Sequence, residues 1–383
     1  MSKNKKKNSL KYNLIRPISN EKWQPITIPL AAIIISFVAA AIVILLIGKN
    51  PFQAFYSLLQ GAGIMPKPSY AGYKSMLTDF LSLLNAMTPL VFASLAVAVA
   101  YRAGLFNIGV AGQMLVSGFL ATIIVGYSGL DAYIAKPLVL VIGIIAGGLM
   151  GGLVGWLKYK FNINEVVSTI MLNYIAQYVI SFFIQMYYID PVSRQSQYIS
   201  DASRLTLVNV EMGNLKMDIP LGFILAILTA ILIKFVMDKT VVGFELKAVG
   251  SNRKAAKYAG INVGKNTILA MVISGGLAGL AGVTYYLGYY ASIQPKVLSS
   301  IGFDSIAVSL LGNSHPIGVI FSSFLVSIID QGSTYMSSQA GIRQEISSVI
   351  VGLILLFSAC GVYMKYKVSR IKEKEAERKE SKA

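Results

Sequence analysis

The sequence predicts an all-α polytopic membrane protein of about ten transmembrane helices, and three observations predict it. Hydrophobic residues make up 55% of the chain, with a mean hydropathy of +0.63. Apolar stretches long enough for a spanning helix, roughly 17 to 25 residues, recur along its length. Threading them back and forth places twenty-five of the 34 Lys and Arg residues on one side. That bias marks the cytoplasmic face of a helical membrane protein. Both termini are therefore expected in the cytoplasm, with the chain multi-pass in the inner membrane.

The elements follow in order. A basic segment, 1–27, carries Lys3, Lys5, Lys6, Lys7, Lys11, Arg16 and Lys22, which hold it near anionic lipid. Membrane lipids are thus an expected partner. Nucleic acid is not, despite a net charge of +17, because the basic residues cap spans and form no stripe on a soluble domain. The first apolar stretch, 28–47, lacks a small-residue cleavage site followed by a polar mature region, so it is expected to persist as a span. Further spans at 80–100, 106–127, 137–157, 166–187 and 219–236 bring the chain back to the cytoplasm at 238–265. That polar stretch carries Lys239, Lys247, Arg253, Lys254, Lys257 and Lys265, where positive charge is required.

Stretches at 266–290, 298–312, 316–336 and 346–364 follow, then a basic tail, 365–383. The stretch at 298–312 covers only about 22 Å, less than a ~30 Å hydrocarbon core, so a broken or half-buried helix is predicted. Counting it as a crossing keeps Lys365, Lys367, Arg370 and Lys372 inside. Two outer loops of substance remain, 49–79 and 190–218. The second is polar and near neutral, and reads either as a docking surface or as a solvated loop.

Glycine and the rare intramembrane polar residues point to packing and pathway. Gly147, Gly151 and Gly155, with Gly148 and Gly152, recur at four-residue spacing, and Gly275 and Gly279 repeat the pattern. This predicts close backbone approach of two helices; dinucleotide binding is a poor competitor because no strand precedes the glycines. Gly104, Gly109 and Gly112 interrupt a second apolar run that holds the neutral groups Asn107 and Gln113. Together with 302–318 it forms a pair of glycine-interrupted segments, 104–113 and 302–318, the sequence mark of a mid-membrane transport site. Asp304 lies in the second of them, as a pathway group or a helix cap. Asp330 is expected near the outer end of the next span. Thr169, Asn173 and Gln177 share a helix face and either line a pore or bind neighbouring helices.

No nucleophile with an activating base is visible, and His315 before Pro316 reads as a structural turn. The single Cys360 excludes an intrachain disulfide, and with one His leaves little metal chemistry. No cofactor is expected in this chain, and the nearest string to a phosphate loop, Gly260 to Asn266, has the wrong glycine spacing and lacks its Ser or Thr.

Several strings are longer than composition supplies: Phe106-Asn107-Ile108-Gly109 with Gly112-Gln113; Asn164-Glu165-Val166-Val167-Ser168-Thr169-Ile170-Met171-Leu172-Asn173-Tyr174; Phe303-Asp304-Ser305-Ile306-Ala307-Val308 with Leu310-Leu311-Gly312; and Asn313-Ser314-His315-Pro316-Ile317-Gly318. In these the chain resembles the permease subunit of bacterial ABC importers for nucleosides and simple sugars, within the branched-chain amino acid/ribose-type superfamily. The stretch 246–260 is similar to the coupling loop of that family, which presses into a groove of the ATPase. Lys247 and Lys257 stand where the family often has Arg, and Arg253 where it often has Pro. Ala111 stands where relatives commonly carry Glu.

The resemblance implies a vitamin-importer-type permease fold, with two pseudo-repeated groups and short broken helices across 28–364. It further implies a separate ATPase subunit, a second homologous permease forming a heterodimer, and an extracellular substrate-binding lipoprotein. ATP hydrolysis then lies outside this chain. The expected pathway residues are Asn107, Gln113, Thr169, Asn173 and Asp304, and the expected ATPase-coupling residues Arg253, Lys254, Ala255, Ala256 and Lys257. An uncharged, polar substrate suits neutral amides better than a ring of charge. Two rivals stand beside this reading. An ion-coupled secondary transporter needs core acids, for which only Asp304 and Asp330 are available; a membrane enzyme needs a nucleophile and base.

Overall fold

Seven helices are long and apolar enough to cross a membrane, and three shorter apolar ones accompany them, in a computed structural model that describes residues 24–360 and residues 363, 366, 367, 369 and 370. The predicted basic segment 1–27 and tail 365–383 therefore lie outside the described residues, apart from 24–27 and those few positions of the tail.

The chain runs α1 (Gln24–Leu46), α2 (Pro51–Gly61), α3 (Met76–Arg102), α4 (Val110–Ala121), α5 (Ala132–Phe161) and α6 (Glu165–Phe183). A two-stranded antiparallel hairpin follows, β1 (Thr206–Met212) and β2 (Leu215–Pro220). Then come α7 (Leu221–Lys239), α8 (Val241–Ser251), α9 (Arg253–Tyr258), α10 (Val263–Thr284), α11 (Ile301–Leu311), α12 (Pro316–Ala340) and α13 (Glu345–Ala359). Helices α4, α6 and α10 end in π-helical turns, Thr122–Gly126, Ile184–Tyr188 and Tyr285–Tyr290. All three turns lie at the end of the bundle opposite α8 and α9, here called the far end.

Helices α3 and α10 are apolar on every face, which places a helix in the middle of a bundle. Met87 to Ala100 of α3 is buried without interruption, as is Ser274 to Thr284 of α10. The predicted glycine interface lies between α5 and α10. A Cβ on Gly147 would stand 2.2 Å from the Gly275 carbonyl oxygen, and one on Gly151 2.2 Å from that of Met271. Backbone packs on backbone there because lipid offers no hydrophobic drive for helix pairing and close van der Waals fit supplies it. A satellite core of Ala40, Ile44, Leu58, Ile329, Met336 and Ile354 joins α1, α2, α12 and α13.

The broken or half-buried helix expected within 298–312 is Ile301–Leu311, about 16 Å at 1.5 Å per residue. Other expectations need correction. The cap of that helix is Ser300, so Asp304 lies inside the first turn and is not the cap. Helix α12 runs on to Ala340, which puts Asp330 about 21 Å from its start, near mid-span and not near an outer end. The stretch 190–218 carries a hairpin and is bonded to the bundle: Ser196 N donates to Ile293 O (2.9 Å), Leu205 N to Leu287 O (3.0 Å) and Ile199 N to Ala291 O (3.2 Å). The loop 49–79 holds α2, whose N-cap Asn50 accepts from Phe52 N at 2.9 Å, with Pro51 in the first turn where a missing N–H costs nothing.

Candidate functional site

After Arg102 the chain turns back into the bundle before α4 begins. Gly104, at φ +69, makes the turn, a conformation only glycine adopts without strain. Asn107 then closes a second turn, its Oδ1 accepting from Gly109 N at 2.9 Å. The side chain is buried. Asn107 Nδ2 donates to Gln113 Oε1 (3.0 Å) and to Ser274 Oγ (2.9 Å), and Ser274 Oγ donates to Ala96 O (2.7 Å). This ties the interrupted segment to both central helices, about 16 Å along α10 from Val263.

Helix α6 closes the other side. Asn173 Oδ1 accepts from Gly112 N (2.9 Å) and its Nδ2 donates to Ile108 O (3.0 Å), while Thr169 packs its Cβ and methyl on Gly109. Gln177, on the same face, donates instead to Lys296 O near the far end, at 2.6 Å. Asn107, Gln113, Thr169 and Asn173 thus form one buried node in which the amides spend their donors and acceptors on the protein. Buried amides need such partners. The face of α6 is, in this conformation, a face that binds neighbours. Ser274 completes the node; its signal was a hydroxyl one residue before Gly275 on the glycine-bearing helix.

Asp304 stands apart from the node, half-buried on α11. The two glycine-interrupted segments nevertheless meet, since a Cβ on Gly302 would lie 2.6 Å from Ala111 N. They are joined again at the basic end, where Arg102 Nε donates to Ser314 O at 2.8 Å. Beside that bond His315 caps α12 ahead of Pro316. Burial pushes its imidazole below the ordinary 6.5; Arg102 and Lys234 add to the shift and Asp238 opposes it.

The stretch 246–260 is shared by two helices, the end of α8 and all of α9. Asn252 breaks it at φ −156 and caps α9, its Oδ1 accepting from Lys254 N and Ala255 N at 3.0 Å each. Helix α9 projects from the bundle: Arg253, Lys254, Ala255 and Lys257 are exposed and Tyr258 is 94% exposed, whereas Ala256 is 4% exposed and seats the helix. Sequence reasoning passed over Tyr258, whose signal is a large aromatic among bases. Helix α8 is keyed to the interrupted segment, because a Cβ on Gly250 would lie 2.2 Å from Arg102 O. Arg253 Nη2 reaches Gly104 O at 3.5 Å. Helices α8 and α9 thus bear directly on 102–109, the segment that carries the node.

The central helix pair α3 and α10, the interrupted segment 102–109 and the exposed basic helix α9 packed against it all lie, but for the first turn of α3, within one part of the chain that a family match covers. Residues 80–359 match the family described as the branched-chain amino acid transport system/permease component. The chain belongs to this family. As a permease component it is similar to the guanosine ABC transporter permease protein NupP of Bacillus subtilis, 36% identical with 91% of this chain and 97% of that one covered. It is also similar to the nucleoside ABC transporter permease protein NupB of Lactococcus lactis, 34% identical over 94% and 98% of the two chains. A second permease of that organism, the nucleoside ABC transporter permease protein NupC, is 27% identical over 70% of this chain and 86% of its own. The matched residues of the permease family take in the node, the handle and α11.

Proposed function

We propose that this chain is the nucleoside-conducting permease of an ATP-driven importer. The observation that carries it is end-to-end similarity to permeases named for guanosine and nucleosides. The handle supports the coupling half of the reading. Four exposed groups, Arg253, Lys254, Lys257 and Tyr258, offer charge and an aromatic anchor to an ATPase subunit, the combination that binding surfaces favour. The basic end then faces the cytoplasm and the far end the exterior, where a substrate-binding lipoprotein delivers its cargo. A second, homologous permease completes the pore; the pair of permeases in Lactococcus lactis supports two different chains over two copies of one.

In this mechanism ATP-driven closure pushes α8 and α9. The Gly250 and Arg253 contacts pass the movement to 102–109, and the node shifts α4 against α6 and α11. Asn107, Gln113, Thr169 and Asn173 work as the packed hinge of the path, and Asp304 as a group on its wall.

Uptake of tritiated guanosine by cells carrying the complete importer tests this against a strain lacking only this chain. Loss of ATP-dependent uptake is expected. Uptake by the chain alone under an imposed proton or sodium gradient would overturn the ATP-driven reading, and equal competition by ribose would replace nucleosides by simple sugars. Thiol labelling of residues 246–260 from outside intact cells would overturn the orientation.

A further inference from the structure

The far end of α10 carries a feature that the pathway residues leave unused. The helix closes in a π-helical turn of sequence Tyr285-Tyr286-Leu287-Gly288-Tyr289-Tyr290, and such turns cluster at functional sites. Tyr285 and Tyr290 lie with ring centroids 4.9 Å apart, and Tyr289 stacks on Tyr285 at 6.4 Å. Tyr285, Tyr286 and Tyr290 wall a half-open cavity of about 90 Å³, smaller than the roughly 300–1,000 Å³ of a site that encloses a whole small molecule, so it takes one end of a ligand and not all of it. Hydroxyls and amides from Gln195, Ser292, Gln294 and Ser299 complete the lining, and no charged residue contributes to it.

The cavity is built in advance of any ligand. Ser292 Oγ donates to Gln195 Oε1 at 2.6 Å, which uses the amide oxygen and leaves the NH2 group as a donor. The strap between the tyrosines and α11 is held by Lys296 N donating to Ser181 Oγ (2.7 Å) and Ile293 N to Ser196 Oγ (2.9 Å). Two non-glycine residues of the strap, Ala291 at φ 75 and Lys296 at φ 61, keep left-handed backbone. Such strain persists where surrounding structure over-determines it, and it concentrates at ligand sites.

We infer that this cavity is a receiving site for the planar, uncharged base of a nucleoside, which stacks on the Tyr290 ring and meets the inclined Tyr285 ring, 65° away in plane, edge-on, while its polar edge bonds the Gln195 and Ser299 side chains. The inference rests on the nucleoside reading above and adds to it a place of contact about 40 Å along α10 from the basic handle. A planar heterocycle gains from a stacking platform whatever its sequence of edge groups. No cation lines the cavity to meet a phosphate, so its lining suits an uncharged nucleoside better than a nucleotide.

The complete importer, with its ATPase, second permease and binding protein, provides the test in proteoliposomes. Tyr290 is 52% exposed, so its replacement leaves the core intact. Tyr290→Ala is expected to raise the guanosine concentration for half-maximal uptake at least about five-fold, and Tyr290→Phe to stay within about two-fold, since stacking survives in Phe. A second measurement places Tyr290→Cys in a Cys360→Ser background; guanosine is expected to slow thiol modification, and ribose at equal concentration to leave it unchanged. Normal uptake by Tyr290→Ala, together with no protection by guanosine, would overturn the site while the unsubstituted importer still moves nucleosides. Equal protection by ribose would overturn recognition of the base. Failure of the unsubstituted importer to move any nucleoside would overturn both readings.

Discussion

Replacing Gly151 by Ala tests whether the membrane core is held by backbone contact or merely by apolar composition. The added Cβ would lie 2.2 Å from Met271 O and 3.0 Å from Gly275 Cα, where ordinary contact begins at 3.4 Å. The shortfall is therefore 1.2 Å against a backbone oxygen, which cannot turn aside as a side chain does. Helices α5 and α10 have to separate, at an overpacking cost of about 1–3 kcal/mol, while Ala returns up to ~1 kcal/mol of helix propensity. Gly148, three residues earlier, is the internal control, because its added Cβ meets nothing nearer than Val272 O at 3.6 Å. Only the propensity gain remains there. Thermal unfolding of the purified chain in detergent is expected to show Gly151→Ala lower by a few degrees and Gly148→Ala unchanged or slightly higher, at roughly 2 °C per kcal/mol. Equal losses in the two variants would refute the argument, since they would mean that the glycine spacing reflects composition and not one packed face.

Other outcomes follow from the handle, the acids and the capping histidine. Ala255→Glu, on the exposed side of α9, is expected to uncouple ATP hydrolysis from uptake with the complex still assembled, whereas Ala256→Glu, at a buried position, should lose assembly. Normal uptake with Ala255→Glu, or intact assembly with Ala256→Glu, would count against the seating of α9. Asp304→Asn is expected to impair uptake more than Asp330→Asn, because Asp304 lies two residues from the Gly302 contact with Ala111; a matched uptake assay returning the opposite order defeats that ranking. His315 has a folded-state pKa held below 6.5 by burial, then by Arg102 and Lys234. The unfolded chain therefore binds the proton more readily, and this contribution to stability is complete above 6.5 and lost as pH falls through the lower folded value. His315→Asn should flatten the fall in unfolding temperature between pH 7 and pH 5, measured in buffers of equal ionic strength, with no change in slope refuting the assignment.

Much of the fold was legible because the bilayer permits few solutions. Backbone polar groups must be satisfied within each crossing, so long apolar runs can only be helices. The glycines of α5 and α10 announced their contact for the same reason, since close approach leaves small residues at a fixed spacing. The hairpin at Thr206–Pro220 also had a legible signal: Val208, Val210 and Met212 alternate with Asn209 and Glu211, Leu215, Met217 and Ile219 alternate with Lys216 and Asp218, and Gly213-Asn214 supplies a two-residue turn; only the bulge between Leu207 and Val210 could not be read from the pattern. The break at Asn252 is foreshadowed by the run Gly250-Ser251-Asn252, poor helix formers set among Ala, Lys and Arg, but its position is decided by the cap geometry of Asn252.

The candidate site divides in the same way. The sequence by itself determined that Asn107, Gln113, Thr169 and Asn173 matter, since polar side chains are costly in an apolar span and survive only with partners or water. Tertiary structure alone decided which of these holds. It set Asn107 against Ser274, 167 residues away, and Asn173 against Gly112, 61 residues away. It likewise folded Gln195 over the tyrosines of α10 and pressed Gly250 onto Arg102. Composition and periodicity report the environment a residue needs; the neighbour that supplies it comes from distant parts of the chain, and only packing brings the two together.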